Sequence, residues 1–326
     1  MRVGFIGLGN VGAKLATTLV RNGVELSVID LDPHRVHELV ALGAAEASSG
    51  AAMARDVDVI ITCLPSPAAS AAVMEDADGV LAALGPGQIW AEMSTTDHHE
   101  IQRLAVLVSA AGASAVDCPV SGGCHRAASG NISIFAGADR PTFERMLPLL
   151  STMGRRVLHT GPVGSASILK VVTNYLATAN LVSLCEALVT AEHAGMDLAT
   201  TYEAIRISSG NSFVHETEGQ VILNGSRDIN FTMDLVAKDV GLFQAIADDM
   251  TLPLEVSPLL LEIFRDGIER YGSRERSPNI IRRLEDATGA AVRAEGFPAA
   301  MVDDEAEVVG SEVTPANRSI NWEQHD

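Results

Sequence analysis

Basic charge is scarce in this chain, and lysine is scarcer still. Its 326 residues carry 23 Lys and Arg against 42 Asp and Glu, a formal net charge of −19. That balance repels phosphate backbones and anionic lipid, so neither nucleic acid nor a membrane surface is an expected partner. Aromatics make up 4%, too few for the stacking platforms that hold single-stranded nucleic acid. The four cysteines, Cys63, Cys118, Cys124 and Cys185, form no CxxC pair and stand far apart. The spacing argues against a disulfide scaffold or a zinc site and for reduced thiols in a cytoplasmic protein; Cys118 and Cys124 are read as space-filling, and no metal is expected. No uninterrupted apolar run of about 18 residues occurs, so no membrane span is expected, and the apolar stretch after Arg2 is read as a strand rather than a leader. Only Lys14, Lys170 and Lys238 are lysines. Lysine, unlike arginine, can surrender its proton near neutral pH, which singles these three out for chemistry.

What the chain does have is length and apolar residues, 47% of the total. At about 150 residues per domain that length suggests two hydrophobic cores. From residue 2 to about 160, short Val/Ile-rich runs alternate with amphipathic stretches, the βαβ pattern of a parallel sheet. The expected strands are Val3–Ile6, Leu26–Ile29, Val57–Thr62, Gln88–Ala91, Ser114–Asp117 and Ile132–Phe135, with prolines at their ends or in the connections. From Val163 to about Ala194 apolar residues recur at helical spacing, which predicts one unusually long helix stopped by Gly195. Segments near 198–208, 234–249, 255–271 and 278–287 also read as helices. The expected class is therefore α/β: a Rossmann-type domain over 1–161, then a long connecting helix opening an all-α domain over 162–292. Residues 293–326 read as an acidic tail, with eight acidic residues and one basic residue from Glu295 onward. Few apolar anchors offset its ordering entropy, so it is expected to be mobile or to serve as an arm in assembly.

Gly7-Leu8-Gly9-Asn10-Val11-Gly12 follows the first strand and opens a helix, and Asp30 closes the second strand eighteen positions past Gly12. Strand, glycine turn, helix and acidic residue in this order make a dinucleotide site. The glycines allow close backbone approach, and the helix N-terminus offers amides and a positive dipole to a pyrophosphate. Asp30 would accept from ribose hydroxyls and repel a 2′-phosphate, so NAD is expected in preference to NADP, and Leu31 after it agrees.

With GFIGLGNVG at 4–12, DCPVSGG at 117–123, GPVGSASILKVVTN at 161–174 and AKD at 237–239, the chain resembles the β-hydroxyacid dehydrogenases, the family of 3-hydroxyisobutyrate dehydrogenase, over about residues 1–290. The resemblance implies a helical domain that mediates a homodimer or homotetramer. It makes Lys170 the catalytic lysine and Asn174 its partner one turn along. Ser121, Gly122 and Gly123 become the loop that holds the substrate carboxylate, and Leu64, Pro65, Thr95 and Lys238 line the cofactor. Oxidising an alcohol needs a base on the hydroxyl as hydride leaves, and lysine serves only if burial and nearby positive charge bring its pKa from about 10.4 towards about 7–8. The apolar flanks of Lys170 suit that task.

Several residues depart from the family pattern. Thr173 stands where many relatives have a second asparagine. Cys124, His125 and Arg126 replace small residues after the glycine loop, which suggests a second polar or anionic group on the substrate or, equally, side chains turned to solvent or another subunit. Ala177 stands where decarboxylating relatives place a glutamate, so alcohol oxidation without decarboxylation is expected, on a small anionic acid with its hydroxyl β to the carboxylate. Phe213 and Phe231 read first as core, then as pocket lining. An imine reductase-like enzyme and a non-catalytic nucleotide-binding scaffold remain as alternatives, and Lys170 counts against both.

Overall fold

The Val/Ile runs do become strands in the computed structural model, which describes residues 1–315. They are β1 (Val3–Ile6), β2 (Leu26–Ile29), β3 (Ala45–Glu46), β4 (Val59–Thr62), β5 (Ile89–Glu92), β6 (Ser114–Asp117), β7 (Val120–Ser121), β8 (Ile132–Gly137) and β9 (Gly154–Gly161). Between them run α1 (Gly12–Arg21), α2 (Pro33–Ala41), α3 (Gly50–Asp56), α4 (Pro67–Glu75), α5 (His98–Ala110), α6 (Gly123–Ser129) and α7 (Arg140–Met153). β1, β4 and β5 are buried at every position, as parallel strands covered on both faces must be. One cover is built around Phe5, Leu15, Val28 and Phe143, the other around Ile6, Ile60, Trp90 and Leu104.

Strands β3-β2-β1-β4-β5-β6 lie side by side and parallel. The parallel order expected from the βαβ pattern holds as far as β6, and beyond it the sheet is mixed. β8 runs antiparallel to β6, with Asp117 opposite Gly137, and antiparallel to β7, while β9 is parallel to β8. A parallel return needs a crossover long enough to span the sheet; the seven residues of α6 reach only about 10 Å. The chain therefore turns back where it stands. This reversal holds the Ser121–Gly123 loop close to the centre of the sheet edge.

Most helices of this half begin on a capping side chain: Asp32, Ser49, Ser66, Asp97 and Asp139 each accept from an amide in the first turn. α1 and α6 do not, having Val11 and Gly122 at the cap position.

The second half consists of α8 (Ser165–His193), α9 (Leu198–Arg206), α10 (Phe213–Asn224), α11 (Met233–Asp249), α12 (Val256–Tyr271) and α13 (Arg282–Thr288) around a core of Leu184, Leu188, Ile222, Val236 and Phe264. α8, at 29 residues, is long and apolar enough to cross a bilayer by length and composition. Here it packs against α9, α10, α11, α12 and β8, as the central helix of a core. α10 is a helix that periodicity did not reveal. Its interior Gly219 obscures the pattern, although a Cβ there would make only ordinary contacts with Leu184 at 3.5 Å and Tyr202 at 3.8 Å.

The tail differs most from expectation. Residues 294–297 lie on α10, residues 303–307 run along the first domain, and β10 (Ser311–Glu312) adds a tenth strand parallel to β9 at the sheet edge. The acidic residues that suggested a free arm meet arginines instead: Glu305 with Arg155 at 2.5 Å, Glu307 with Arg21 at 2.8 Å and Glu312 with Arg140 at 2.6 Å. Counting apolar anchors missed this charge complementarity. The part of the expectation that concerns 316–326 falls outside the described residues.

Candidate active site

Two of the three glycines in the first turn are required by the protein's own backbone. Gly7 has φ +98°, and a Cβ on it would stand 2.3 Å from the Cys63 carbonyl; one on Gly12 would stand 2.0 Å from the Gly7 carbonyl. Gly9 is different. A Cβ there would meet nothing nearer than the Arg35 guanidinium at 3.7 Å, so the fold alone does not demand a glycine. Its bareness faces the cavity, where a ligand laid against the backbone would need the room, beside the uncapped N-terminus of α1. The residues present thus fit a dinucleotide pyrophosphate. Asp30 accepts from the Leu8 amide at 2.5 Å and the Asp32 amide at 2.8 Å, which fixes its carboxylate at the far end of the turn. Leu8 was expected to bind cofactor, but its side chain is buried in the core and only its backbone takes part, the carbonyl accepting from Arg35 at 2.8 Å.

The cavity, about 1350 Å³, lies between the two halves of the chain. Gly7, Gly9, Asn10, Val11, Gly12, Asp30, Leu64, Pro65 and Thr95 line it from the first half, as do Ser121, Gly122 and Gly123; Lys170, Asn174 and Lys238 line it from the second. Apart from Leu8, every residue expected to bind cofactor or substrate, or to move the proton, therefore reaches one cleft.

Lys170 is placed there by a contact the sequence did not disclose. Asp117 ends β6, and its buried carboxylate accepts from the Gly164 amide at 2.7 Å, the Ser167 amide at 2.7 Å and the Ser167 hydroxyl at 2.9 Å. It caps α8 from across the sheet, because α8's own cap position is Gly164. Burial pushes the Asp117 carboxyl up, and the three donors oppose that. Lys170, one turn further on, is 7% exposed. Its ammonium donates to Asn174 Oδ1 at 2.8 Å, and Asn174 Nδ2 donates to Asp239 Oδ2 at 2.6 Å. Lys238 completes the row. Its Nζ donates to the Thr95 carbonyl at 2.6 Å and stands 3.0 Å from Asp239 Oδ1, a charge contact rather than an aligned hydrogen bond. Burial brings the Lys170 pKa down to about 8; the Asp239 carboxylate opposes the fall and the Lys238 ammonium adds to it. An amine with that pKa can take or give a proton near neutrality. Asp239 belongs to the AKD motif but was assigned no role; its contact with Asn174 spans 65 residues.

Around the glycine loop, His125 lines the cavity, and burial next to Arg126 lowers its pKa. Arg126 turns away: its guanidinium lies 5.0 Å over the Phe213 ring and 3.6 Å from Glu305. Phe213 and Phe231 both line the cavity, so pocket lining holds for each, although Phe231 also packs on the helical core. Glu218 of α10 lines it too, its carboxyl pushed up to about 7 by burial. Nothing in the local sequence marked Glu218, because its burial is set by packing and not by its neighbours in the chain. Among the described residues no group of three or more His, Cys, Asp or Glu could hold a metal.

Comparison with known proteins gives consistent matches. Residues 2–161 match the NAD-binding domain of 6-phosphogluconate dehydrogenase, and residues 164–284 match the NAD-binding domain of NADP-dependent 3-hydroxyisobutyrate dehydrogenase. The chain is 33% identical over 293 residues to 2-(hydroxymethyl)glutarate dehydrogenase of Eubacterium barkeri, covering 90% of this chain and 97% of the relative. It is 33% identical over 294 residues to the NAD-dependent L-serine dehydrogenase of Pseudomonas aeruginosa, covering 88% and 98%. The solved structure of Mycobacterium tuberculosis 3-hydroxyisobutyrate dehydrogenase with L-serine aligns at a TM-score of 0.79 and 26% identity, covering 87% of this chain and 99% of that one.

Proposed function

The chain belongs to the 3-hydroxyisobutyrate dehydrogenase-like β-hydroxyacid dehydrogenases, and on that footing we propose that it interconverts a small 3-hydroxyacid and its semialdehyde or oxoacid, using NAD, with Lys170 as general acid and base. It is an NAD(P)-dependent oxidoreductase acting on CH–OH, as its relatives are. The observation that carries the mechanism is the buried Lys170 amine, with its pKa near 8 and its fixed partner Asn174. Bound NAD(P) supplies the hydride acceptor for oxidation and the hydride donor for reduction.

In the oxidising direction the neutral Lys170 amine takes the substrate hydroxyl proton; in the reducing direction its ammonium returns one. Asn174, clamped by Asp239, fixes the height and direction of Nζ. Ser121, Gly122 and Gly123 offer a hydroxyl and backbone amides to the substrate carboxylate. His125 beside them is a neutral ring able to bond a further polar group, in keeping with a relative named for a dicarboxylate. For the cofactor, Asp30 and Leu31 support NAD over NADP: the carboxylate suits ribose hydroxyls and repels a phosphate, and Leu31 gives no cation. Leu169 and Leu176, exposed at 39% and 54% on the apolar α8, support a homodimer or homotetramer. The four free cysteines support a reducing, cytoplasmic setting.

The test is NADH formation from NAD over a panel of 3-hydroxyisobutyrate, glycerate, L-serine and 2-(hydroxymethyl)glutarate. At least one is expected to be oxidised, and Lys170→Ala, folded and still binding NADH, is expected to lose about 10²–10⁴-fold in kcat. Near wild-type turnover by that variant would overturn the assignment.

A further inference from the structure

The two family matches together extend no further than residue 284, yet the chain beyond residue 293 reaches the same cleft. It starts on the helical half. The Ala294 amide donates to the Leu223 carbonyl at 2.9 Å, Asn224 Nδ2 donates to the Phe297 carbonyl at 2.7 Å, and the Phe297 ring stands edge-on to Tyr202 at 5.0 Å. It finishes on the sheet half. The Asp303 carboxylate accepts from the Ser129 hydroxyl and, at 2.8 Å, from Asn131 Nδ2; the Glu305 carbonyl accepts from Asn131 Nδ2 at 2.8 Å; and the Glu305 carboxylate meets Arg126 and Arg155. Between these anchorages Ala300 and Met301 line the cavity that holds Lys170 and the Ser121–Gly123 loop. The stretch 298–302 therefore crosses the cleft from one wall to the other.

The groups it grips are continuous with that loop. Arg126 and Ser129 belong to α6, whose first residue is Gly123, and Asn131 leads into β8, where Ser133 pairs with Ser121. Asn131 is 4% exposed, so its side-chain amide lies buried, and both acceptors of its Nδ2, Asp303 and the Glu305 carbonyl, come from the chain just past the crossing. A buried amide left without acceptors is costly; fixing it fixes the end of α6.

We propose that residues 294–313 form a strap that completes the substrate end of the site, with Met301 as a specificity-determining part of its wall and Asp303 and Glu305 as positioning residues for the Ser121–Gly123 loop. The proposal rests on the reading of that loop as the carboxylate holder. Such a strap sets how firmly substrate is held, not how NAD is held, because beside the cleft it grips α6 and Asn131, and it meets α1 only at Arg21 and Asn22, the end remote from the first glycine turn.

The full chain tests this with two variants, Asp303→Asn combined with Glu305→Gln, and Met301→Gly. In the double variant, hydrogen exchange across residues 123–131 is expected to quicken at least tenfold while NADH affinity stays within twofold. With whichever hydroxyacid is turned over, KM is expected to rise at least fivefold with kcat within twofold. Met301→Gly is expected to raise kcat/KM for a bulkier 2-substituted hydroxyacid at least fivefold relative to the preferred one. Unaltered exchange over 123–131 in the double variant overturns the strap whether or not its own amides have loosened. If wild-type protein oxidises no hydroxyacid, the exchange result still decides the strap, and the failure falls on the catalytic reading alone.

Discussion

Lys170 titrates beside two charges whose opposite signs make its behaviour testable. Burial and Lys238 hold its pKa down to about 8, and Asp239 holds it up. Oxidation needs the free amine, so kcat/KM for the hydroxyacid is expected to climb with pH and level off above about 8. Reduction needs the ammonium, so its rate is expected to fall as pH rises through the same value. Asp239→Asn removes the carboxylate that raises the pKa and should move both limbs to lower pH; Lys238→Met removes the repelling cation and should move them up. Profiles at saturating cofactor that do not shift in opposite directions would show that these charges do not govern the base. At the other end of the cleft, Asp30→Asn keeps an acceptor for the Leu8 amide while removing the charge that repels a 2′-phosphate. It is expected to narrow the preference of kcat/KM for NAD over NADP by about tenfold, roughly 1.4 kcal/mol. A wild-type preference for NADP would refute the assignment.

α8 begins without a capping side chain of its own, and the carboxylate that serves it comes from 47 residues earlier in the chain. Gly137 makes room for it, since a Cβ there would lie 2.3 Å from Asp117 Oδ1. Asp117→Ala would leave the Gly164 and Ser167 amides buried without that acceptor, an expected loss of about 2–4 kcal/mol by chemical denaturation. Because Lys170 follows one turn later, kcat should fall in the same variant even where it folds. Full stability would show that α8 is held by packing alone. α1 and α6 also start without caps, and both open on the cleft. Where Asp or Ser caps a helix of the first half, the chain satisfies its own amides; where Val or Gly stands instead, those amides are left to other partners.

The two halves touch through the Lys238–Thr95 bond, the α8 anchorage and the strap. The strap's arginine pairs are mostly part-exposed, so each contributes little alone and salt screens them; their worth lies in acting together. On α8, Leu169 and Leu176 are exposed two turns apart, apolar surface of the kind an interface between subunits covers. The chain is expected to sediment as a dimer or tetramer at micromolar concentration, and Leu176→Arg to weaken that assembly at least tenfold. A monomeric wild-type protein would remove the argument.

Sequence alone determined what depends on neighbours in the chain. The glycine turn with Asp30, six strands of the first domain and the length of α8 follow from local periodicity, whereas β3, β7 and β9 were not read; the Lys170–Asn174 pair came with the family resemblance, and its i, i+4 spacing lets the two side chains meet. Tertiary structure alone decided what joins remote segments. Asp117 reaching α8, Asp239 steadying Asn174, the reversal of β8, the burial of Glu218 and the docking of an acidic tail on arginines each unite residues tens to hundreds of positions apart. A carboxylate's partner across such a distance leaves no period or spacing to read, so only the packed chain reveals whether a charge faces water, a helix end or another charge.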